Sequence, residues 1–311
     1  MWCSPGVSFR PLLFLIYIND IANSCKDGLF RIFADDTGIF CQSIDLKVLV
    51  EKAEIIIKNV NEWFIANKLT LNVDKTSFII FRSKRNNINN LPDTISHENI
   101  KIKRETKIKY LGLILEEHLS WNQHVNEICN KLKCFFPLFY NIRQYLEKEN
   151  IRNIYYTMIY SRIKYGCIIT GQTTNENLNK IQTLQNKLLK VLYYKSYRYS
   201  TNNLHNELSI LKYNDLINQE ILSFVYKYVH SELPSVFSDY FSHRHELVEM
   251  IEEQRKRRFT LPRYKTDMGK STIQYVGSKI FSEKAPLIKL NISINTFRKH
   301  INKMYMTYPE D

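Results

Sequence analysis

Two adjacent carboxylates, Asp35 and Asp36, lie between short apolar runs, Leu29 to Ala34 and Thr37 to Cys41, both containing Ile and Phe. That pattern predicts a β-hairpin with both acids at its tip. Like charges held so close repel one another unless a cation sits between them. Hard oxygen donors of this kind suit Mg²⁺, which keeps several waters and takes one or two protein carboxylates together with substrate phosphates. Two such ions about 3.5 to 4 Å apart stabilise the attacking and leaving oxygens when a nucleotidyl group is transferred. An Asp–Asp turn also has a plain steric reading, because aspartate suits turns without doing any chemistry. The surrounding residues have to decide.

The elements that would position this tip are legible from periodicity. Pro11 to Ile21 is an apolar segment whose length fits a buried helix or a strand. Leu46, Leu49, Val50, Ala53, Ile56, Ile57, Val60, Trp63 and Phe64 recur every three or four residues, which predicts an amphipathic helix with Asp45 as its N-cap. Ser77 to Phe81 and Lys107 to Leu115 are expected to be strands flanking a polar loop, Arg82 to Glu98, that contains Pro92. After Trp121 the three-to-four-residue spacing repeats through Val125 to Phe136, Ile151 to Ile159, Leu178 to Leu192 and Leu216 to Val225, so helix is expected to follow helix. The expected fold class is α+β over residues 1–116, mainly α-helical over 117–232, with a C-terminal region, 233–311, of unassigned role.

A chain of 311 residues with 44% hydrophobic and 24% charged residues is long enough to bury a core in each of two domains, which excludes a disordered chain or a disulfide mini-scaffold. Its net charge of +13 is unevenly spread. Residues 1–100 carry 11 basic and 11 acidic side chains, 101–200 carry 17 and 7, and 201–311 carry 16 and 13. The excess falls in the middle third. Tyr155, Tyr156, Tyr160, Tyr165, Tyr193, Tyr194, Tyr197 and Tyr199 lie among those basic residues. Phosphate neutralisation combined with aromatic stacking is how sequence-tolerant nucleic-acid binding works, although some of those rings are also suited to packing helices. The six cysteines are scattered without a Cys-x-x-Cys pair, as expected of free thiols in a reducing compartment. His118, His124, Cys129 and Cys134 make a poor zinc set, because a five-residue helical step turns Cys134 about 140° from Cys129. The apolar run Leu12 to Ile18 is far shorter than the ~20 residues of a membrane helix, so no membrane association is expected.

Several blocks in order carry a family likeness. Pro11-Leu-Leu-Phe-Leu-Ile-Tyr-Ile-Asn-Asp20-Ile21, Phe33-Ala-Asp-Asp-Thr37, Asn67-Lys-Leu-Thr-Leu-Asn72 with Lys75-Thr76, and Tyr110-Leu-Gly112 with Leu119-Ser-Trp121 together resemble the second half of a reverse transcriptase from a non-LTR (LINE-type, jockey-like) retrotransposon. The resemblance implies RNA-templated DNA synthesis with Mg²⁺ on an RNA template and a DNA primer. It makes Asp35 and Asp36 the metal-binding carboxylates of a polymerase palm, Phe33 the aromatic that precedes them, and Lys75 a cation approaching the incoming triphosphate. Tyr110, Leu111 and Gly112 match the turn that positions the primer, and the helical part after Trp121 matches a thumb. Without that likeness, Lys75 reads as a solvated loop lysine, Tyr110 as a strand residue and Gly112 as a bulge. Asp20 matches a structural aspartate and is not assigned to the metal site.

The sequence also departs from the family. Where a Pro-Gln-Gly-Ser turn and a second Gly lead into the Pro11 block, this chain has Ser4, Pro5, Gly6, Val7 and Arg10. An arginine side chain does not permit the close backbone approach that glycine does. The nucleotide-clamping fingers and the strand bearing a third catalytic Asp precede this block in the family, so these residues are expected to be a polymerase remnant, inactive alone. The alternative function is a non-catalytic, sequence-tolerant nucleic-acid-binding protein. The expected location is intracellular, nucleus or cytoplasm, with Arg255-Lys-Arg-Arg258 serving as an import patch or a solvated helix end. No protein partner is implied.

Overall fold

In the computed structural model residues 9–84, 90–241, 259–284 and 287–307 are described, and they fall into two compact units divided between Leu119 and Ser120. The altered turn at Ser4 to Val7 and the basic cluster Arg255 to Arg258 lie outside the described residues.

In the first unit the segment that sequence left open is a helix, α1 (Arg10–Ile18), with Pro11 in its opening turn, where a missing N–H breaks no helical bond. A 3₁₀ turn over Asn19–Asn23 follows. Strands β1 (Leu29–Phe33) and β2 (Asp36–Phe40) form the expected antiparallel hairpin. Helix α2 (Leu46–Ala66) begins where its cap predicts, with Asp45 Oδ1 accepting from Lys47 N at 2.6 Å. These elements bury Ile18, Ile21, Cys25, Phe30, Ile56 and Val60 together. Tyr17 donates its hydroxyl hydrogen to the Asn67 carbonyl and thereby ties α1 to the end of α2.

The later strands differ from expectation. Strand β3 is only Ser77–Phe78, and the segment read as a polar loop contains a strand of its own, β4 (Thr94–His97), which pairs antiparallel with β5 (Ile100–Arg104). Strand β3 joins β5 in parallel, giving the order β3-β5-β4. Ile95 and Ile102 supply the buried side of that sheet, and two isolated isoleucines are too few to show as a periodic run. The stretch read as one strand, Lys107 to Leu115, is two: β6 (Lys107–Tyr110) and β7 (Leu113–Glu116). The chain reverses at Leu111 and Gly112, whose φ angles are 46° and 80°. Two consecutive left-handed residues make the tight hairpin turn whose twist matches that of the strands.

The second unit is helical, as its periodicity predicts. It contains α3 (Asn122–Lys133), α4 (Phe135–Ile142), α5 (Lys148–Ile154), α6 (Ser161–Lys164), α7 (Cys167–Thr170), α8 (Asn175–Leu192), α9 (Thr201–Leu208) and α10 (Tyr213–Val229). Between α5 and α6 runs a π-helical stretch, Tyr155–Tyr160. Helix α10 buries residues around most of its circumference, including Leu216, Ile217, Ile221, Leu222 and Val225, and so forms the centre of the unit. After residue 258, α11 (Asp267–Lys270), α12 (Ile273–Lys284) and α13 (Ile294–Thr307) complete the described chain, and α12 and α13 both pack on α10. Phe281, Phe297 and Ile301 are fully buried there. Among the described residues no helix is long and apolar enough to cross a membrane.

Buried polar groups pin these helices. Gln185 is fully buried and donates to both the Tyr155 hydroxyl and the Leu211 carbonyl, each at 2.9 Å. His205 is buried with Nδ1 2.8 Å from the Ile210 carbonyl, and burial holds its pKa below 6.5. Burial likewise lowers the pKa of His124 on α3. An unfolded histidine titrates near 6.5, so below about that pH the unfolded chain binds protons that the folded unit refuses. The stabilisation is present above that point and is lost as pH falls through and below it. Urea unfolding of the chain is expected to show a midpoint that declines between about pH 7.5 and pH 5.5, whereas an unchanged midpoint over that range contradicts buried, neutral imidazoles.

Candidate functional site

The hairpin places its acids one residue away from the symmetric tip that the two flanking apolar runs predict. Phe33 pairs with Asp36 as the last rung, so the two-residue turn is Ala34–Asp35, and Asp36 already belongs to β2. Both carboxylates are exposed, and neither forms an ion pair among the described residues. Ala34 turns the chain with a φ of 54°, a conformation that costs an alanine roughly 1 to 2 kcal/mol over glycine. Leu111 does the same in the β6–β7 turn. Strain at the first turn residue of both hairpins is the kind of local cost found at functional sites. Ala34→Gly is expected to stabilise the chain by about 1 kcal/mol, read as a rise in the urea midpoint.

Alternation along β2 puts Asp36, Gly38 and Phe40 on one face, opposite Phe33, Arg31 and Leu29 of β1, while Thr37 and Ile39 turn toward the core with Phe30 and Ile32. The second hairpin meets that outer face. The Tyr110 hydroxyl donates to the Arg31 carbonyl at 3.4 Å, and its ring packs edge-on against Phe40 with centroids 6.4 Å apart. Gly38 makes room for it, since a Cβ there would come within 2.9 Å of the Tyr110 hydroxyl oxygen and 3.1 Å of Cζ. The first hairpin carries Phe33, Asp35 and Asp36 at one end, and Tyr110 of the second hairpin packs farther along the face that bears Asp36, against Arg31, Gly38 and Phe40. Arg31, Gly38 and Phe40 were missed by sequence reasoning. The available signal was a glycine inside a strand, which marks close approach by another backbone or ring.

Lys75 belongs to a different element. It ends a 3₁₀ turn, Val73–Lys75, that lies beside β5, and it is exposed with its backbone N–H bonded to Asn72 Oδ1 at 3.2 Å. No ion pair links it to Asp35 or Asp36 among the described residues. Phe33, at 65% exposure, presents an open ring beside the carboxylates, as a stacking residue must.

The donor set fits Mg²⁺ in part. Two exposed carboxylates can supply the protein's share of a shell completed by water and phosphate oxygens. Among the described residues, however, no group of three His, Cys, Asp or Glu side chains is placed to hold a metal ion. Thiol chemistry is a poor alternative, because burial raises the pKa of Cys129 and pushes that of Cys167 up to about 12.

In the helical unit the aromatic residues divide. Tyr155 is fully buried, and Tyr156 and Tyr160 pack edge-on or tilted against it, so these three hold the core instead of standing in solvent among the basic residues. Tyr165, Tyr194 and Tyr197 are exposed, and Tyr140 and Tyr145 join them from α4 and the turn after it.

Residues 3–115 match the family described as reverse transcriptase (RNA-dependent DNA polymerase). The chain is 24% identical over 221 residues to a probable RNA-directed DNA polymerase from transposon X-element of Drosophila melanogaster, covering 69% of this chain and 24% of that protein. It is 22% identical over 224 residues to the RNA-directed DNA polymerase from mobile element jockey of Drosophila funebris, again covering 69% of this chain and 24% of the relative. The chain thus spans about a quarter of the length of the curated relatives it matches. No solved structure matches it. Over residues 3–115 the chain is thus similar to the reverse transcriptase family, and over about two thirds of its length it is distantly similar to the polymerases of jockey-like and X-element non-LTR retrotransposons.

Proposed function

We propose that the paired hairpins are the metal- and primer-handling part of a reverse transcriptase palm, and that the 311-residue chain by itself binds nucleic acid without copying it. The observation that carries the first half is Tyr110 packed on Gly38. It sets a side chain of the second hairpin, the residue just before its turn, against the face of the first that bears Asp36. In this reading Asp35 and Asp36 hold Mg²⁺, Phe33 stacks on a base, and the Tyr110–Gly112 turn bears on the primer strand. Mg²⁺ bound there would neutralise phosphate charge and polarise the oxygens at the bond being made. Lys75 serves as a cation for the triphosphate only if substrate draws its turn toward the tip. The helical unit acts as the thumb that follows a palm, and RNA template and DNA primer are the partners. Unpaired thiols at Cys25, Cys41, Cys129, Cys134 and Cys167 support an intracellular location, nucleus or cytoplasm.

The second half of the proposal rests on the carboxylates. Losing even a supporting group of a metal shell typically costs tenfold to a hundredfold in affinity or activity. Here two acids stand alone at an exposed tip among the described residues. Incubated with a primed RNA template, deoxynucleotides and Mg²⁺ or Mn²⁺, the chain is expected to give no extension above background. Extension that disappears in Asp35→Asn would restore the polymerase reading. The hairpin assignment is checked separately by Mn²⁺ binding followed by electron paramagnetic resonance, which should be weak in the parent and absent in the Asp35→Asn, Asp36→Asn double variant.

A further inference from the structure

Arg143, in the turn after α4, has its guanidinium carbon 4.3 Å from the ring centroid of Tyr140 and 4.3 Å from that of Tyr194. Its Nη1 donates to the Val191 carbonyl at 2.8 Å, which fixes the guanidinium plane against the last turn of α8. Each ring therefore has one face occupied by the cation. Yet Tyr140 is 63% exposed and Tyr194 55%, so the surface left to solvent includes the face turned away from Arg143. Tyr194 is held in this position by a φ of 52°, a left-handed conformation that a tyrosine adopts at a cost. Just beyond it Tyr197 is 84% exposed, and Lys190 Nζ donates to its carbonyl at 2.7 Å. The turn is pinned on its other side by Lys195, which lies 2.8 Å from both carboxylate oxygens of Glu207 on α9.

Exposed rings on a rigid, positively charged turn make a stacking surface. From 177 to 206 the chain has no acidic residue, while it carries Lys180, Lys187, Lys190, Lys195 and Arg198. We propose that the Tyr140–Arg143–Tyr194 stack, extended by Tyr197 and Lys190, is a binding platform for a single-stranded nucleic acid, with bases stacking on the tyrosine rings and phosphates meeting the cations. The inference rests on the nucleic-acid reading above and adds the site and the strand state. Charge complementarity selects the occupant: an open ring takes any base regardless of sequence, and Lys187, Lys190 and Arg198, which have no ion pair among the described residues, suit a polyanion. A duplex is a poor occupant, because its bases are already stacked on each other. Since the cation–ring stack and the Lys195–Glu207 pair hold the platform before any ligand arrives, binding spends little on ordering it.

The test uses the full chain and a short labelled polyuridine, with a base-paired oligonucleotide alongside, followed by fluorescence anisotropy over a salt series. Tyr140→Ala with Tyr194→Ala is expected to weaken polyuridine binding at least about tenfold, with the slope of log K against log salt unchanged. Tyr140→Phe with Tyr194→Phe keeps both rings and should bind like the parent. Tyr197→Ala alters a ring too exposed to be needed for folding, and should lose severalfold in the same direction. Parent-like binding by the alanine pair or by Tyr197→Ala overturns the platform, as does a phenylalanine pair as weak as the alanine pair. A parent chain that binds polyuridine in a salt-dependent way but ignores these substitutions overturns the platform alone. A parent chain that binds neither oligonucleotide overturns the nucleic-acid reading with it.

Discussion

Raising the salt from about 50 to 200 mM is expected to weaken binding of the chain to single-stranded RNA by about fiftyfold, a slope near −2.8 in log K against log salt. The slope counts phosphates. Of the basic residues between 177 and 206, Lys180 is paired with Glu176 at 2.7 Å and Lys195 with Glu207 at 2.8 Å, so their charge is already answered within the protein. Lys187, Lys190 and Arg198 have no ion pair among the described residues, and Arg143 lies beside them with only carbonyl and ring contacts. Four unopposed cations release roughly 0.7 counterions each from a single strand, which gives the slope stated. An anisotropy titration at several salt concentrations measures it directly. A slope near zero would reduce the +10 excess of residues 101–200 to a device for solubility. The charge-reversing variant Lys187→Glu should lower the slope, whereas the tyrosine substitutions described above should change affinity at constant slope.

Glu220→Ala is expected to destabilise the helical unit by about 3 kcal/mol, because it removes the anion from an interior cluster and leaves two cations behind. Glu220 lies on α10 with 8% of its surface exposed. Its Oε1 is 3.0 Å from Lys164 Nζ on α6, and its Oε2 is 3.6 Å from Arg298 Nη2 on α13. Lys164 meets Oε1 as a charge, off the direction of a hydrogen bond, so the carboxylate acts through its field more than through directed bonds. Beside it, Gln219 donates to the Arg298 carbonyl at 3.0 Å and ties the same two helices. In a unit of this size such a loss lowers the melting temperature by roughly 6 to 12 °C. Glu220→Gln keeps the shape but not the charge and should cost less. Circular dichroism melts of the three proteins check the order. Equal stability of parent and Glu220→Ala would mean that the lysine and arginine, each about a third exposed, are fully served by water.

Much of the scaffold around the candidate site was legible in the chain. Short apolar runs rich in Ile and Phe on both sides of Asp35-Asp36 specify a hairpin, because strand-forming residues bounded by a polar pair leave the chain little choice but to turn there. Asp45 before an apolar three-to-four repeat specifies the start of α2, and the cap bond forms as written. The same periodicity marks α3, α8 and α10 as helices with buried faces. Motif spacing, independently of any fold, carried the family likeness that the comparisons bear out.

Tertiary structure decided the rest. Periodicity states which face of an element is buried but not what covers it. The packing of Tyr110 on Gly38, between residues far apart in sequence, has no local signature beyond a glycine inside a strand. The apolar period over Lys107 to Leu115 does not mark the break at Leu111, which the family likeness alone suggested, and the pairing of Tyr110 with Leu113 sets Leu111 in a left-handed turn. Tyr155 and Tyr194 look alike in a basic stretch. One is buried under Gln185 by the helices that surround it, and the other is held open beside Arg143 at the end of α8. Residue type and spacing determine the chemistry a chain can offer. Which of those groups meets solvent, and which meets another, depends on contacts between segments that composition and period do not encode.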